Sequence, residues 1–422
     1  MRITMLALGT RGDVQPYIAL GQGLQAAGHK VRLAALDIFE EFVSNQGLEF
    51  VSLGGISKEF NQRSNDEASR NTIAFHGLLG RIRFWRILGS SLERLMADSW
   101  DCCQGAEAII YSRLALPAYH IAEKLGVPCY AAYMNPLSPT RAFPSPLFTS
   151  ASSLGGTYNW LTHVLEEQFR WQFARQKINQ WRQESLNLLP VPLTGFYRQQ
   201  QKQQMPILCC YSPVVVPKPS DWSDWVHVTG YWFLDRSPDW QPTADLVNFL
   251  AAGPPPVYIG FGSMRSNNPE ALTKLVLAAL DQTGQRGLLF TGKGTMSNAN
   301  LPANVFKIES VPHDWLFPQM AAVVHHGGAG TTSAALRAGV PSIVIPFIAD
   351  QPFWGQCVAD LGAGLPPILQ KDLTAERLAA AIRIATSDEA MKARAVAVGE
   401  KIRAEDGVAR AVEVFHRYLP SS

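Results

Sequence analysis

Several things are scarce in this chain of 422 residues, and each scarcity excludes a class of function. Charge of one sign is missing: 37 Lys and Arg face 35 Asp and Glu, a net of +2, so there is no electrostatic footprint for nucleic acid. Charged residues are only 17% of the whole against 47% hydrophobic, the balance of a well-packed globular protein. No run of eighteen apolar residues occurs, so no stretch reads as a membrane span. Met1 to Leu8 is apolar but of strand length, too short for the core of a secretion signal. The cysteines are few and badly spaced for bridging or zinc: Cys102-Cys103, Cys129, Cys209-Cys210 and Cys357, with no C-x-x-C. That usage fits a reducing, cytoplasmic setting. Histidines outside 313–326 are scattered without metal spacing. No Asp-x-Asp pair exists to bridge a divalent cation to a diphosphate, so no metal site is expected.

What is present is alternation. Ile3 to Leu8, Val14 to Ala27 and Val31 to Leu36 read as strand, helix and strand, with Gly28 capping the helix. Similar units follow at Ala108 to Tyr111, Ala118 to Leu125, Pro128 to Ala132 and Ile207 to Tyr211. A second series runs through Val257 to Gly262, Pro269 to Asp281, Gly287 to Thr291, Val305 to Ile308 and Ser342 to Pro346. Buried strands alternating with helices predict parallel, doubly wound sheets. The expected division is 1–220 as a first Rossmann-like domain, 221–256 as a Trp-, Asp- and Pro-rich linker and 257–400 as a second. A helical tail, 401–422, is expected to pack back on the first. Trp160, Leu161, Val164, Leu165, Phe169 and Phe173 recur at spacings of three and four, which predicts a long amphipathic helix. Gly77 to Met96 alternates Arg81, Arg83, Arg86 and Arg94 with apolar residues. An ordinary solvated face explains that pattern, and so does peripheral contact with a lipid surface.

The most telling stretch is His325-His326-Gly327-Gly328-Ala329-Gly330-Thr331-Thr332, between an apolar strand and a helix. A glycine-rich turn opening a helix offers backbone N–H groups at the positive end of the helix dipole, a receptor for phosphate-type anions. His326 is the candidate diphosphate contact, with Gly328, Gly330, Thr331 and Thr332 behind it. Ser263, after Gly260-Phe261-Gly262, stands where parallel sheets place ligands. Trp315 offers a ring face for stacking a base, although a structural Trp is the simpler reading of that residue alone. Asp350-Gln351 pairs a carboxylate with an amide, suited to neighbouring sugar hydroxyls. In the first half, Gly9-Thr10-Arg11-Gly12-Asp13 follows the first strand. Asp13 is the candidate proton acceptor there. It is also well placed as a helix N-cap, which would hold its pKa down.

Together the first strand unit, Val311-Pro312-His313-Asp314-Trp315, the His325–Thr332 run and Gly339-Val340-Pro341 through Asp350-Gln351-Pro352-Phe353-Trp354 carry a resemblance. The chain resembles the inverting nucleotide-sugar glycosyltransferases of GT-B fold, nearest the sterol 3-beta-glucosyltransferase-like branch, which also includes enzymes of glycopeptide and macrolide biosynthesis. The resemblance implies two facing Rossmann-like domains with an interdomain cleft and a UDP-sugar co-substrate, first UDP-glucose, without a further cofactor. It implies transfer of a hexose to a hydroxyl of a bulky apolar acceptor such as a sterol or triterpenoid. Residue by residue it implies Asp13 as base, Ser263, His326, Gly328 and Thr331 at the diphosphate, Trp315 near the base ring, and Asp350 and Gln351 at the sugar. Plant members carry a histidine base, relayed by a separate Asp, where this chain has Asp13, and a ribose-binding glutamate where it has Ala334. The readings that stay open are a dTDP-deoxysugar transferase, a nucleotide-sugar epimerase and a non-catalytic auxiliary protein. An aromatic acceptor pocket is expected within Asn135 to Trp181.

Overall fold

The computed structural model describes residues 1–54, 91–148, 154–264, 266, 268–291, 296 and 301–419. Most of Gly77 to Met96, with three of its four arginines, lies outside these. The described residues fall into two compact units: residues up to 234 joined by those from 406 on, and residues 235 to 405.

The first unit is built on seven strands: β1 (Arg2–Leu6), β2 (Lys30–Ala35), β3 (Glu49–Ser52), β4 (Ala108–Tyr111), β5 (Cys129–Tyr133), β6 (Ile207–Cys209) and β7 (Val226–Val228). Their order is β3-β2-β1-β4-β5-β6-β7, all parallel. The order reverses between β1 and β4, and in such sheets the crevice at the carboxyl ends of that pair is where ligands sit. The second unit has β8 (Val257–Gly260), β9 (Gly287–Phe290), β10 (Val305–Ile308), β11 (Ala322–His325) and β12 (Ser342–Val344), in the order β10-β9-β8-β11-β12. Its reversal lies between β8 and β11. Both sheets are parallel because each strand is followed by a crossover too long for a hairpin, and β4, β8 and β11 are buried along their whole length.

Three points go beyond or differ from the sequence reading. The change of unit, between Leu234 and Asp235, falls inside the expected 221–256 connection, but that stretch also carries elements of both units: β7 completes the first sheet, Trp222 and Trp232 are buried, and Ala244–Ala251 is a helix of the second. Aromatic density there reflects packing. The helix Glu389–Arg403 stays with the second unit, where Gly399 lets it approach Gly339 closely; only Gly407–Arg417 returns to the first. That last helix seats Phe415 in the core, its carbonyl accepting from the Tyr130 hydroxyl at 2.9 Å.

The third difference concerns the long helix, Gly156–Glu184. Most of its apolar stripe faces outward: Trp160, Leu161, Leu165 and Phe173 are exposed and Val164 is half-buried, while Phe169 packs partly against the core. Its buried face holds Asn159, Thr162, His163, Glu166, Arg170, Trp171 and Arg182. The physical reason is what it packs against. Non-helical chain has backbone groups in need of partners. The Asn159 amide donates to the Arg141 carbonyl (2.9 Å), Thr162 accepts from the Ser145 N–H (2.8 Å), Trp171 donates to the Pro192 carbonyl (3.1 Å) and Arg182 to that of Leu189 (2.8 Å). Periodicity located the helix, but most of its apolar stripe lies at the surface of the unit and not in its core.

Candidate donor and acceptor sites

In the first unit the helix Arg11–Ala26 begins three residues earlier than its apolar pattern suggests, with Thr10 as N-cap and Asp13 in the third helical position. Asp13 therefore is not the N-cap. Its carboxylate reaches back in a capping box, one oxygen accepting from the Thr10 N–H (2.6 Å) and hydroxyl (2.9 Å). Gly9 makes this possible: it holds φ +142°, and a Cβ on it would lie 2.3 Å from that oxygen. The expected depressed pKa is also overturned. Burial, the largest cause, raises it, while the Thr10 bonds and the Arg113 cation partly oppose. A raised carboxylate accepts protons better, which strengthens the case for a base.

In the second unit the loops leaving β8, β11 and β12 meet. Gly260 pairs with His325 and His325 with Val344, so Gly262-Ser263, His326-Gly327-Gly328 and the loop after β12 share one end of the sheet. The glycines are what let them crowd. A Cβ on Gly262 would stand 2.8 Å from the His326 ring and one on Gly328 2.5 Å from its Nε2. Gly327, at φ +85°, sits against the backbone of Gln351. The helix Ala329–Ala338 opens at Gly328 with no side-chain cap; its first internal bond runs from the Thr332 N–H to the Gly328 carbonyl (2.9 Å). The helices starting after Thr243, Asn268, Thr374 and Asp388 all have side-chain caps. An uncapped first turn keeps its N–H groups for something else.

His326 is buried, and burial first, then the His313 charge, brings its pKa down to about 4. The ring is thus neutral at physiological pH, and its Nδ1 is buried without a partner. Ser263 is exposed beside it and Thr331 half-buried in the first turn. Thr332 is fully buried, with its hydroxyl enclosed and without a hydrogen-bond partner among the described residues. The Gln351 side-chain oxygen accepts from the Phe347 (2.7 Å) and Ile348 (3.0 Å) N–H groups and its amide points at the Met264 sulfur, so it braces the loop. Asp350 is aimed by the Trp354 indole, which donates to its Oδ2 at 2.7 Å, and Ala349 before it holds φ +55°. Trp315 packs against Trp240 (5.3 Å between ring centres) and partly into the core, which leaves less of its face for a base. Sequence reasoning missed Trp354 as an orienting residue and Arg113 entirely, although Arg113 follows a strand at the reversal in sheet order.

Two parallel sheets of Rossmann type, with a glycine-rich turn at the reversal of the second, define the architecture as GT-B. The comparisons agree. A kitacinnamycin glycotransferase superposes with a TM-score of 0.73 at 20% identity, covering 99% of both chains, and the calicheamicin glycosyltransferase CalG4 with 0.69 at 15%, covering 99% of this chain and 97% of its own. Residues 3–144 match the glycosyltransferase family 28 N-terminal domain and residues 288–414 the erythromycin biosynthesis protein CIII-like C-terminal domain. Sterol 3-beta-glucosyltransferases of Cryptococcus neoformans and Aspergillus clavatus are 39% and 40% identical over 99% of this chain. The chain spans 27% and 30% of their lengths. Its two halves thus match glycosyltransferase domain families, and nearly its whole length is similar to a part of the sterol 3-beta-glucosyltransferases.

Proposed function

We propose that the chain transfers glucose from UDP-glucose to a hydroxyl of a sterol-like apolar alcohol, with inversion at the anomeric carbon. The observation that carries this is the uncapped helix start beside a neutral, buried His326: it suits a diphosphate. The second unit then takes the donor, with Ser263, His326, Gly328, Gly330 and Thr331 at the phosphates and Asp350 at the sugar. Asp13 takes the acceptor proton as the hydroxyl oxygen attacks the anomeric carbon. The bond from that carbon to the diphosphate breaks, and UDP departs with its charge held by the helix dipole and hydrogen-bond donors. The reading needs no cofactor beyond the nucleotide sugar and no metal, since the sequence supplies no carboxylate pair for one. A reducing cytoplasmic compartment and peripheral contact with the lipid that dissolves the acceptor belong to the same reading.

The test is incubation with UDP-glucose and a sterol, following UDP release and the glucoside. Asp13→Ala should abolish turnover and leave UDP binding nearly intact. Turnover equal to the unchanged protein would discard the base, and a donor panel favouring dTDP-deoxysugars would replace the glucose assignment. UDP release with no acceptor-linked sugar would point away from transfer.

A further inference from the structure

Asp13 stands at the order reversal of the first sheet, and the chain leaving β4 is tied to the chain leaving β1. The Ser112 N–H donates to the Leu6 carbonyl (2.9 Å), and the Ser112 hydroxyl accepts from the Leu8 N–H (3.1 Å). The next residue is Arg113, so these bonds place its backbone beside the chain that leads into the Gly9–Asp13 turn. Arg113 acts electrostatically on Asp13 and on Tyr197, whose buried hydroxyl lacks a hydrogen-bond partner.

Among the described residues, the other groups acting on Asp13 offer no second cation. Thr10, on its own helix, gives two neutral hydrogen bonds. Tyr17, one turn on, spends its hydroxyl on the Ala132 carbonyl at 2.6 Å, and burial keeps it protonated. Cys210, beyond β6, is a thiol that burial also keeps neutral, and Tyr133, at the end of β5, stays neutral for the same reason. Arg11, two residues before Asp13, lies over the Phe42 ring, 4.6 Å from its centre.

We propose that Arg113 is a positioning residue for Asp13, the counter-ion that keeps this carboxylate ionised and turned between the ends of β1 and β4. It rests on the reading of Asp13 as base. A carboxylate taken out of water without a counter-ion picks up a proton and can no longer accept one. A guanidinium cannot lose its charge, so it is a fixed counterweight. Plant members orient a histidine base with an Asp; an acidic base calls for a partner of opposite sign, and Arg113 has it.

The experiment is the pH dependence of kcat/KM for the full chain and for Arg113→Met and Arg113→Lys. The Met variant should move the acidic limb up by about one pH unit, so the loss is largest at low pH and recovers as pH rises. The Lys variant, which restores the charge, should bring the limb back towards its original position. An unmoved limb in Arg113→Met overturns the proposal. Arg113→Gln, which keeps hydrogen bonding and drops the charge, replaces Met if that variant does not fold. A carbon-13 carboxyl titration of Asp13 asks the same question without turnover: its midpoint should rise in the Met or Gln variant, and an unchanged midpoint overturns the counter-ion role. Wild-type turnover in Asp13→Asn would remove the base itself, a failure that the carboxyl titration keeps separate from that of Arg113.

Discussion

Gly9→Ala attacks the proposed base without touching it. Gly9 holds φ +142°, and an added methyl would lie 2.3 Å from the Asp13 Oδ2, 2.4 Å from its Cγ and 2.7 Å from its Cβ. No rotation of the methyl relieves that, because it is the Cβ itself. Holding alanine at a glycine-type φ costs about 1–3 kcal/mol. Hydrogen bonds to a charged group contribute about 1.5–3 kcal/mol each, and those from Thr10 are lost if the carboxylate swings away. The φ cost applies wherever the carboxylate goes, so the overlap decides: contacts of 2.3–2.7 Å cannot be accommodated in place, and the carboxylate should leave the turn although those bonds are lost. The loss of turnover is bounded by what a general base supplies, about 10²–10⁴-fold. Steady-state UDP release from UDP-glucose with a sterol acceptor measures it, and calorimetric UDP affinity, a property assigned to the second unit, should stay unchanged. Gly12→Ala is the internal control: its Cβ would come no nearer than 3.8 Å, to the Thr10 hydroxyl, so it should work like the parent. If Gly9→Ala turned over at the parent rate, the placement of Asp13 as base would be refuted.

Two further outcomes concern the donor unit. Because His326 is brought down to about 4, UDP-glucose affinity should be flat from about pH 8 to pH 5.5; affinity that climbs as the pH drops through about 6.5 would mean the imidazole binds as a cation. The sign for stability is fixed by the same shift. The unfolded chain takes up this proton near pH 6.5 and the folded one only near 4, so stability should fall across that interval on acidification, as thermal melts would register. Trp354→Phe removes the donor that aims Asp350. UDP-glucose KM should rise about tenfold while UDP affinity holds, since only the sugar contact depends on that carboxylate; an equal loss of UDP affinity would show that the indole supports the phosphate turn instead.

Much of the site was legible because its signals are local. A glycine-rich turn between a strand and a helix names its own backbone geometry, and His326 with Gly327 and Gly328 could be picked out on that ground alone. Asp13 was visible for the same reason, but its state was not. Its place in the helix and its raised pKa depend on Gly9, Thr10 and the density of the surroundings. Gln351 and Thr332 show what residue type leaves open: only the folded chain has the amide oxygen accepting from the Phe347 and Ile348 N–H groups and the hydroxyl enclosed.

The sequence alone determined the alternation of strands and helices, because apolar runs and turn residues act over a few positions. It also marked the ends of strands where chemistry gathers. Only the tertiary structure decided which strand lies beside which, and so that Arg113, a hundred residues from Asp13, shares its corner. It also decided that the helix Gly156–Glu184 turns its polar side inward, since that depends on unpaired loop carbonyls and N–H groups brought beneath it from elsewhere in the chain.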